Sequence, residues 1–228
     1  MLAIVGGIAW HATRKVVTTA VIVGLLFLVG AVGLWDKLMQ TLALMMVATV
    51  ISVLIGIPLG ILSARSNRLR SVLMPLLDIM QTMPSFVYLI PVLMLFGLGK
   101  VPAIFATVIY AAPPLIRLTD LGIRQVDGEV MEAINAFGAT AGSNCSACNA
   151  LALPSIMAGI NQTTMMALSM VVIASMIAPV AWVKTCSSAS KTLNVGRGLE
   201  AGLAIVILAV VIDRITQAYG RPRHEASK

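Results

Sequence analysis

The sequence predicts an all-α polytopic membrane protein, on the strength of its composition and its long apolar runs. Of its 228 residues, 59% are hydrophobic and only 11% are charged, and the mean hydropathy is +0.97. Soluble domains are about half apolar and about a quarter charged. Apolar runs of about 20 residues cross the hydrocarbon layer as helices, and several such runs occur here. The predicted fold class is therefore a membrane helix bundle.

Six membrane spans are predicted between a short lead, residues 1–15, and a short tail, residues 221–228. The transmembrane domain comprises residues 16–220. The lead opens with an apolar run too short to span a bilayer. It is either an interfacial segment or the remnant of a helix whose upstream part is missing; the second interpretation is favoured. The predicted spans lie at about residues 16–34, 38–64, 83–98, 101–116, 156–178 and 199–212.

Prolines are predicted to interrupt two of these spans. Pro84 and Pro91 break the third span, and the fourth ends at the Pro113-Pro114 pair. Proline is tolerated in membrane helices where neighbouring groups satisfy the freed backbone carbonyls, so both spans should be packed inside the bundle. Small residues permit close helix contacts, and we expect such contacts at Gly56, Gly60, Ala106 and Ala111.

The distribution of Lys and Arg predicts that both termini lie in the cytoplasm. If Arg14 and Lys15 are inside, the alternation of six spans places 11 of the 16 basic residues inside and 5 outside. Basic residues collect in cytoplasmic loops, so the net charge of +7 reflects topology. No basic face with aromatic or polar readers is visible, which argues against nucleic-acid binding.

One long polar loop, at about residues 117–155, is predicted on the cytoplasmic side. It holds four of the nine acidic residues, and loops of this length are usually functional or disordered. Asp127 and Gly128 open a helical pattern that Gly138 stops. This helix is either simply solvated or a docking surface for a cytoplasmic partner. One face of it would carry Val130, Ala133, Ile134 and Phe137.

Two of the three cysteines lie in the stretch AGSNCSACNA, residues 141–150. Cys145 and Cys148 have CxxC spacing, which indicates a redox pair or half of a metal site. A thiol oxidoreductase would need a thioredoxin-like βαβ setting, and a metal site would need more ligands. Because both histidines, His11 and His224, are far away in sequence, neither alternative is favoured.

Several stretches resemble a known family. EVMEAINAFGAT followed by LALPSIMAGI resembles the EAA loop of bacterial ABC importer permeases, with matches at Glu132, Ala133, Gly138 and the Leu-Pro that contains Pro154. Ile134 replaces the second Ala of that motif. PLLDIMQTMPSFVYLIPVLMLFGLGK and IMAGINQTTMMALSMVVIASMIA resemble permease subunits of glycine betaine/proline betaine importers. The resemblance covers most of residues 34–220.

The resemblance implies a type I, EAA-loop permease of the bacterial inner membrane that performs no covalent chemistry itself. The implied partners are a second permease copy, a cytoplasmic ATPase dimer and a periplasmic binding protein that delivers a quaternary ammonium solute. ATP and Mg would bind to the ATPase, since this chain has no GxxxxGK[ST] loop, and the chain would bind no cofactor of its own. The implied ATPase-coupling residues are Glu132, Ala133, Gly138 and Pro154.

Polar residues within or near the spans are candidates for the solute pathway. They are Gln81, Asn161 and Gln162, with Asp78 near the cytoplasmic interface. Intramembrane polar residues are functional candidates by default, although hydrogen bonding between helices is the competing interpretation. With 5% aromatic residues, the chain has little material for an ammonium cage, so recognition is expected in the separate binding protein.

Two other functional classes are weighed against the permease. A stand-alone channel or ion-coupled carrier would be expected to hold charged residues at the membrane midplane, where the predicted spans hold almost none. Transport without any ATPase partner would favour such a carrier. A membrane assembly factor without transport is disfavoured by the resemblance.

Two stretches, residues 141–150 and 179–192, depart from the resemblance and together contain all three cysteines. The family has a basic amphipathic helix at the first position and a Gly-Gly-Leu-Gly run at the second. A synonymous choice of codons for residues 141–149, read in a shifted frame, gives Arg-Trp-Gln-Gln-Leu-Phe-Arg-Val-Gln. The second stretch likewise returns Gly-Gly-Leu-Gly. We hypothesise that both are compensated frameshifts in the gene or in its sequencing, which the nucleotide sequence decides.

Overall fold

The computed structural model of the chain describes residues 7, 16–31, 33–97, 99–126, 128–136, 148–177 and 195–220. Helices account for nearly all of these residues, and no strand occurs among them, which confirms the predicted all-α class. The predicted tail lies outside the described residues, as does the lead apart from residue 7. The helices are α1 (Val16–Ala31), α2 (Trp35–Arg65), α3 (Asn67–Thr82), α4 (Phe86–Phe96), α5 (Lys100–Arg124), α6 (Gly128–Ala136), α7 (Leu153–Ile177) and α8 (Val195–Gly220).

Helix α5 is the centre of the bundle, because it packs along α2 and α7 and also contacts α3 and α4. Glycines allow the close approach of α2. A Cβ atom on Gly56 would lie 2.9 Å from the Leu115 side chain, and one on Gly60 would lie 2.9 Å from a backbone carbonyl of α5. Ala106 and Ala111 are completely buried. The predicted close contacts at these four small residues are therefore confirmed.

Three apolar clusters hold the helices together. The largest joins α1, α2, α5, α7 and α8, and it includes Ile22, Leu38 and Leu208, which are almost inaccessible to solvent. A second joins α4, α5 and α7 around Leu89 and Met170. A small third cluster joins α3 to α5 through Leu77, Ala112 and Ile116. Helix α5 takes part in all three clusters, so the position of every other part of the core depends on it.

The prediction that Pro113 and Pro114 end the fourth span is wrong. Helix α5 continues through both prolines to Arg124, and both proline side chains are buried. Proline has a φ angle compatible with a helix, but it removes a backbone N–H and its ring crowds the carbonyl of residue i−4. Packing against neighbouring helices compensates for this cost. The predicted loop at residues 117–155 is consequently shorter and partly helical, since it contains the end of α5, α6 and a helical turn at residues 148–151.

The third predicted span, residues 83–98, corresponds to α4, which a sharp bend separates from the preceding helix α3. Helix α3 ends at Thr82 and α4 begins at Phe86, and their axes differ by 92°. The predicted break at Pro84 is confirmed, whereas Pro91 lies inside α4 and does not break it. Helix α3 was not predicted, because its alternating polar and apolar residues do not form a continuous apolar run.

The predicted count of six spans is not reached in the described part of the chain. Three helical segments there are long and apolar enough to cross a membrane, or four if the bent α3–α4 pair counts as one span. Helices do occur at the first and sixth predicted positions, as α1 and α8, but neither is among those segments. The three are Leu38–Arg65, Lys100–Arg124 and Leu153–Ala174.

One end of the bundle collects arginines and is called the basic end. Helices α2 and α5 run parallel and both finish there, at Arg65 and Arg124. Helix α7 starts there, because its residue Ser155 lies against Gly122 in the last turn of α5. Helix α3 follows the end of α2 in sequence, and α6 follows the end of α5. The long loop predicted from the sequence therefore starts at the basic end.

Candidate functional site

A buried carboxylate joins α3 to α5 at the basic end. Asp120 of α5 is 2% exposed at its side chain and accepts hydrogen bonds from Arg70 Nε of α3, at 3.2 Å, and from Arg124 Nε, at 3.3 Å. Burying an unpaired carboxylate is costly, and here two guanidinium groups compensate its charge. Asp120, Arg70 and Arg124, with the Arg124 partners described next, form the Asp120 network.

The Arg124 side chain extends this network to the junction between α2 and α3. Its Nη2 atom donates to the backbone carbonyl of Ser63 at 3.2 Å and to Asn67 Oδ1 at 2.8 Å. Ser63 belongs to the last turn of α2, and Asn67 is the first residue of α3. The end of α5 is therefore fixed to both neighbouring helices by charge-assisted hydrogen bonds, the stronger kind.

A second ion pair links α3 and α5 but is exposed. Arg117 Nη2 donates to Asp78 Oδ1, and the two side chains are 37% and 60% exposed. Beside this pair lies an open cavity of about 320 Å³, called the α3–α5 cavity. Its lining combines two arginines and two aspartates with two apolar side chains, namely Arg70, Arg117, Asp78, Asp120, Met74 and Leu121.

A third polar group, the Asp213 cluster, joins α7 to α8. Asp213 accepts a hydrogen bond from Asn161 Nδ2 at 3.2 Å and two from Gln217 Nε2 at 2.7 and 2.8 Å. The Thr216 hydroxyl donates to Asn161 Oδ1. All four side chains are partly buried, so the cluster satisfies polar groups that would otherwise be costly between two membrane helices.

Exposed side chains follow the end of α5. Helix α6 begins four residues after Arg124, and its Glu132 side chain is exposed. On the return path, Cys148 Sγ lies 3.7 Å from the Ile123 carbonyl and donates to it, which places the helical turn at residues 148–151 against the last turn of α5. Pro154 follows in the first turn of α7 and is exposed.

Comparison with known proteins identifies the family. The profile of binding-protein-dependent transport system inner membrane components matches residues 56–221, which include α5, α6 and α7. The chain belongs to this family. It is an inner membrane component, and its localisation in a membrane agrees with its apolar helices.

Similar proteins include betaine permeases from several bacteria. The chain is 48% identical over 215 residues to the glycine betaine/proline betaine transport system permease protein ProW of Escherichia coli (strain K12), which is 94% of this chain and 60% of that protein. It is 44% identical over 94% of its length to the glycine betaine transport system permease protein OpuAB of Bacillus subtilis (strain 168), covering 76% of that protein.

A third similar protein is the glycine betaine/carnitine transport permease protein GbuB of Listeria monocytogenes serotype 1/2a (strain 10403S). It is 47% identical over 88% of this chain and 71% of its own length. The chain thus spans between about 60% and 76% of the length of these relatives.

The structure describes three of the four coupling residues that were predicted from the sequence. Glu132 and Ala133 lie in α6, as the predicted helix from Gly128 requires, and Pro154 begins α7. Gly138 lies outside the described residues. Their role in coupling stays a prediction.

The sequence-predicted pathway residues are not brought together. Gln81 is exposed on α3, whereas Asn161 and Gln162 lie on α7. Asn161 belongs to the Asp213 cluster, which supports the interpretation as a hydrogen bond between helices. Gln162 is exposed.

The two stretches attributed to frameshifts fall almost entirely outside the described residues, as do Cys145 and Cys186. Cys148 is half-buried. No group of three His, Cys, Asp or Glu side chains suited to a metal ion occurs in the described part of the chain. The frameshift hypothesis therefore stays a prediction.

Sequence reasoning missed the residues that carry most of the polar structure at the basic end. Asp120 was assigned to the loop because Pro113 and Pro114 were expected to end the helix. The spacing of Asp120 and Arg124 at i and i+4 is a signal for an ion pair on one helix face, and it could have placed both in α5. The pairing of Arg117 with Asp78, 39 residues apart, leaves no local signal.

Proposed function

We propose that the chain is the membrane-spanning permease subunit of an ATP-driven importer of glycine betaine, proline betaine or related quaternary ammonium solutes. The observation that carries this proposal is the similarity to betaine permeases over 94% of the chain. The order of α5, α6 and α7 supports it, because a short helix with exposed side chains, Glu132 among them, lies between two central helices of the bundle in sequence. The permease itself performs no covalent chemistry.

The proposed assembly contains two copies of this chain, a cytoplasmic ATPase dimer that binds ATP and Mg, and a periplasmic binding protein. Both termini of the permease face the cytoplasm in this proposal, and the basic end of the bundle is the cytoplasmic end. The clustering of Arg65, Arg70 and Arg124 at that end supports the orientation, since basic residues collect on the cytoplasmic side of membrane proteins.

In this assembly, α6 and the segments that flank it receive the movement of the ATPase. Glu132 is the polar anchor, Ala133 and Gly138 allow close approach, and Pro154 fixes the start of α7. The movement passes to α5, to which the chain connects α6 directly, and then through the Asp120 network to the ends of α2 and α3. Rigid, fully paired charges suit this task because they move the three helix ends together.

The proposal is tested by uptake of radiolabelled glycine betaine into bacterial cells that lack osmolyte import. The chain is co-expressed with its ATPase and its binding protein, and we expect uptake that requires both partners. Uptake that persists without the ATPase would instead support a stand-alone carrier. Absence of uptake by an assembled, membrane-inserted complex would contradict the proposed function.

The coupling role of Glu132 is tested in the same cells. We expect Glu132→Gln to lower uptake about tenfold, because loss of one hydrogen bond to a charged group removes about 1.5 kcal/mol. Asp36→Asn, which neutralises an exposed carboxylate in the first turn of α2, is the control and should change uptake little. Equal uptake by the two variants would remove Glu132 from the coupling surface.

The segment at residues 141–150 is tested by recovery of the ATPase on the immobilised permease. A variant that carries the re-framed basic amphipathic segment should recover more ATPase than the present chain, because large apolar side chains anchor a docked helix better than Ala, Ser and Asn. Equal recovery would count against a docking role for the large apolar residues.

A further inference from the structure

The Asp78–Arg117 pair joins α3 to a helix that is apolar enough to span a membrane, yet both side chains are exposed. Arg117 is about 10 Å along the α5 axis from Arg124, and α5 is one of the segments long and apolar enough to span. The Arg117 and Asp78 side chains are 37% and 60% exposed. Charged side chains on a membrane-spanning helix face the interior of a bundle or a water-filled space, because contact with lipid tails is costly.

Helix α3 separates its lipid-compatible surface from its charged surface. Its exposed large apolar side chains form one stripe, whereas Asp78 projects from a different side of the helix, next to Arg117. Lipid can cover the apolar stripe without cost, so the side that carries Asp78 is the one turned toward water. The stripe consists of Leu69, Val72, Leu76 and Ile79.

The α3–α5 cavity offers both signs of charge to a bound solute. The charge of Asp120 is already compensated by Arg70 and Arg124. Asp78 and Arg117 are therefore the two charged side chains of the cavity that can release each other and bind a solute. Arg117 Nε is buried and has no hydrogen-bond partner among the described residues. An unpaired guanidinium donor beside an exposed carboxylate matches a ligand that carries a carboxylate and a cation close together.

We propose that Asp78 and Arg117 form a subsite for a small zwitterion on the solute pathway, in the part of the α3–α5 cavity that is farther from the basic end. Arg117 binds the carboxylate of the solute through its planar guanidinium, and Asp78 faces the quaternary ammonium. In the empty subsite the two side chains pair with each other, which keeps both charges satisfied. This subsite rests on the proposed function, because it names residues that a betaine molecule contacts during import.

The test measures how fast a water-soluble methanethiosulfonate reagent labels a cysteine placed in the cavity. The reporter is Leu121→Cys, since Leu121 lines the cavity and is 41% exposed. It is introduced into a chain in which Cys145, Cys148 and Cys186 are replaced by Ser. Inside-out vesicles contain the full chain together with its ATPase, and glycine betaine is added at millimolar concentration as the protecting solute.

Val72→Cys is the matched control for exposure. Val72 is 70% exposed but belongs to the apolar stripe of α3, so a hydrophilic reagent should label it slowly and betaine should not protect it. We expect Leu121→Cys to be labelled quickly and to be protected about tenfold when betaine is about tenfold above its half-protective concentration, as mass action requires. Choline and acetate, which each carry one of the two charges, should protect far less.

Substitutions in the pair identify the ligand contacts. Asp78→Asn and Arg117→Gln should each raise the half-protective betaine concentration about tenfold, because a contact with a charged group contributes about 1.5 kcal/mol. Arg68→Gln, which changes an exposed arginine on the helix that carries Asp78, should not. The proposal is overturned if Leu121→Cys is labelled no faster than Val72→Cys. It is also overturned if betaine gives no protection, if choline or acetate protects equally, or if neither substitution weakens protection.

The subsite and the proposed function can fail separately. Protection by betaine needs neither ATP hydrolysis nor the binding protein, so it would survive a failure of energised uptake. Conversely, energised uptake without any protection at Leu121→Cys would leave the importer in place and remove the subsite.

Discussion

The two ion-pair groups between α3 and α5 share a cavity but differ in their surroundings. Asp120 is 2% exposed and is held by Arg70 and Arg124, whereas Asp78 is 60% exposed and has Arg117 beside it. Breaking a buried pair leaves an uncompensated charge, while an exposed pair contributes little to stability. Burial therefore assigns Asp120 to holding the helices together and leaves Asp78 available for a ligand.

The largest expected effect breaks the buried group. Asp120→Asn should lower the free energy of unfolding by about 3 kcal/mol, the lower part of the range for broken buried pairs, because Arg70 and Arg124 remain partly exposed. The measurement is unfolding of the purified permease in mixed micelles by increasing denaturing detergent. Asp36→Asn, an exposed carboxylate in the first turn of α2, is the control. Equal stability of the two variants would contradict a structural role for Asp120.

A smaller effect is expected at Gly60, where α2 and α5 approach each other closely. Gly60→Leu should lower the free energy of unfolding by about 2 kcal/mol, because even its Cβ atom would overlap Thr119 and a backbone carbonyl of α5. Gly24→Leu in α1 meets nothing within 4 Å and should be nearly neutral in the same denaturation experiment. If both variants are neutral, the contact of α2 with α5 is looser than the structure indicates.

The sequence predicted the helix bundle, the break at Pro84 and the close contacts at Gly56 and Gly60, because each has a local physical cause. The apolar runs that form the helices, the missing backbone N–H of Pro84 and the missing side chains of the two glycines are all visible in the local sequence. The end of α5 was predicted wrongly, because whether Pro113 ends a helix depends on what packs around it. Only the i and i+4 spacing of Asp120 and Arg124 is a local signal for that part of the helix, and the contact of Asp120 with Arg70, 50 residues away, has none.

The residues chosen as pathway candidates show a related limit. Asn161 and Gln162 were selected together because both are polar within an apolar run, yet the structure gives them different surroundings. Asn161 is bound to Asp213, 52 residues away, whereas Gln162 is exposed. Polarity in a span can be read from the sequence, but the partner that satisfies it belongs to another helix.

The Asp213 cluster provides an intermediate case between the two ion-pair groups. Asn161→Ala should lower the free energy of unfolding by about 1 kcal/mol or less, because hydrogen bonds between membrane helices contribute about 0.6 kcal/mol on average. Gln162→Ala, at the next position of the same helix, should not change it measurably. A loss as large as that of Asp120→Asn would show that Asp213 is the more important anchor of the bundle.

The smallest effect on stability is expected for the exposed Asp78–Arg117 pair. Its size shows whether this pair, like the Asp120 network, holds the helices together. Asp78→Asn should change the free energy of unfolding by less than about 1 kcal/mol, since Asp78 and Arg117 are substantially exposed. The same denaturation series measures it, with Asp120→Asn as the reference. If Asp78→Asn destabilises the bundle as much as Asp120→Asn does, both pairs hold helices together. If it does not, the charge of Asp78 is maintained beside a helix apolar enough to span a membrane without stabilising the fold, which is the property expected of a residue that contacts the solute.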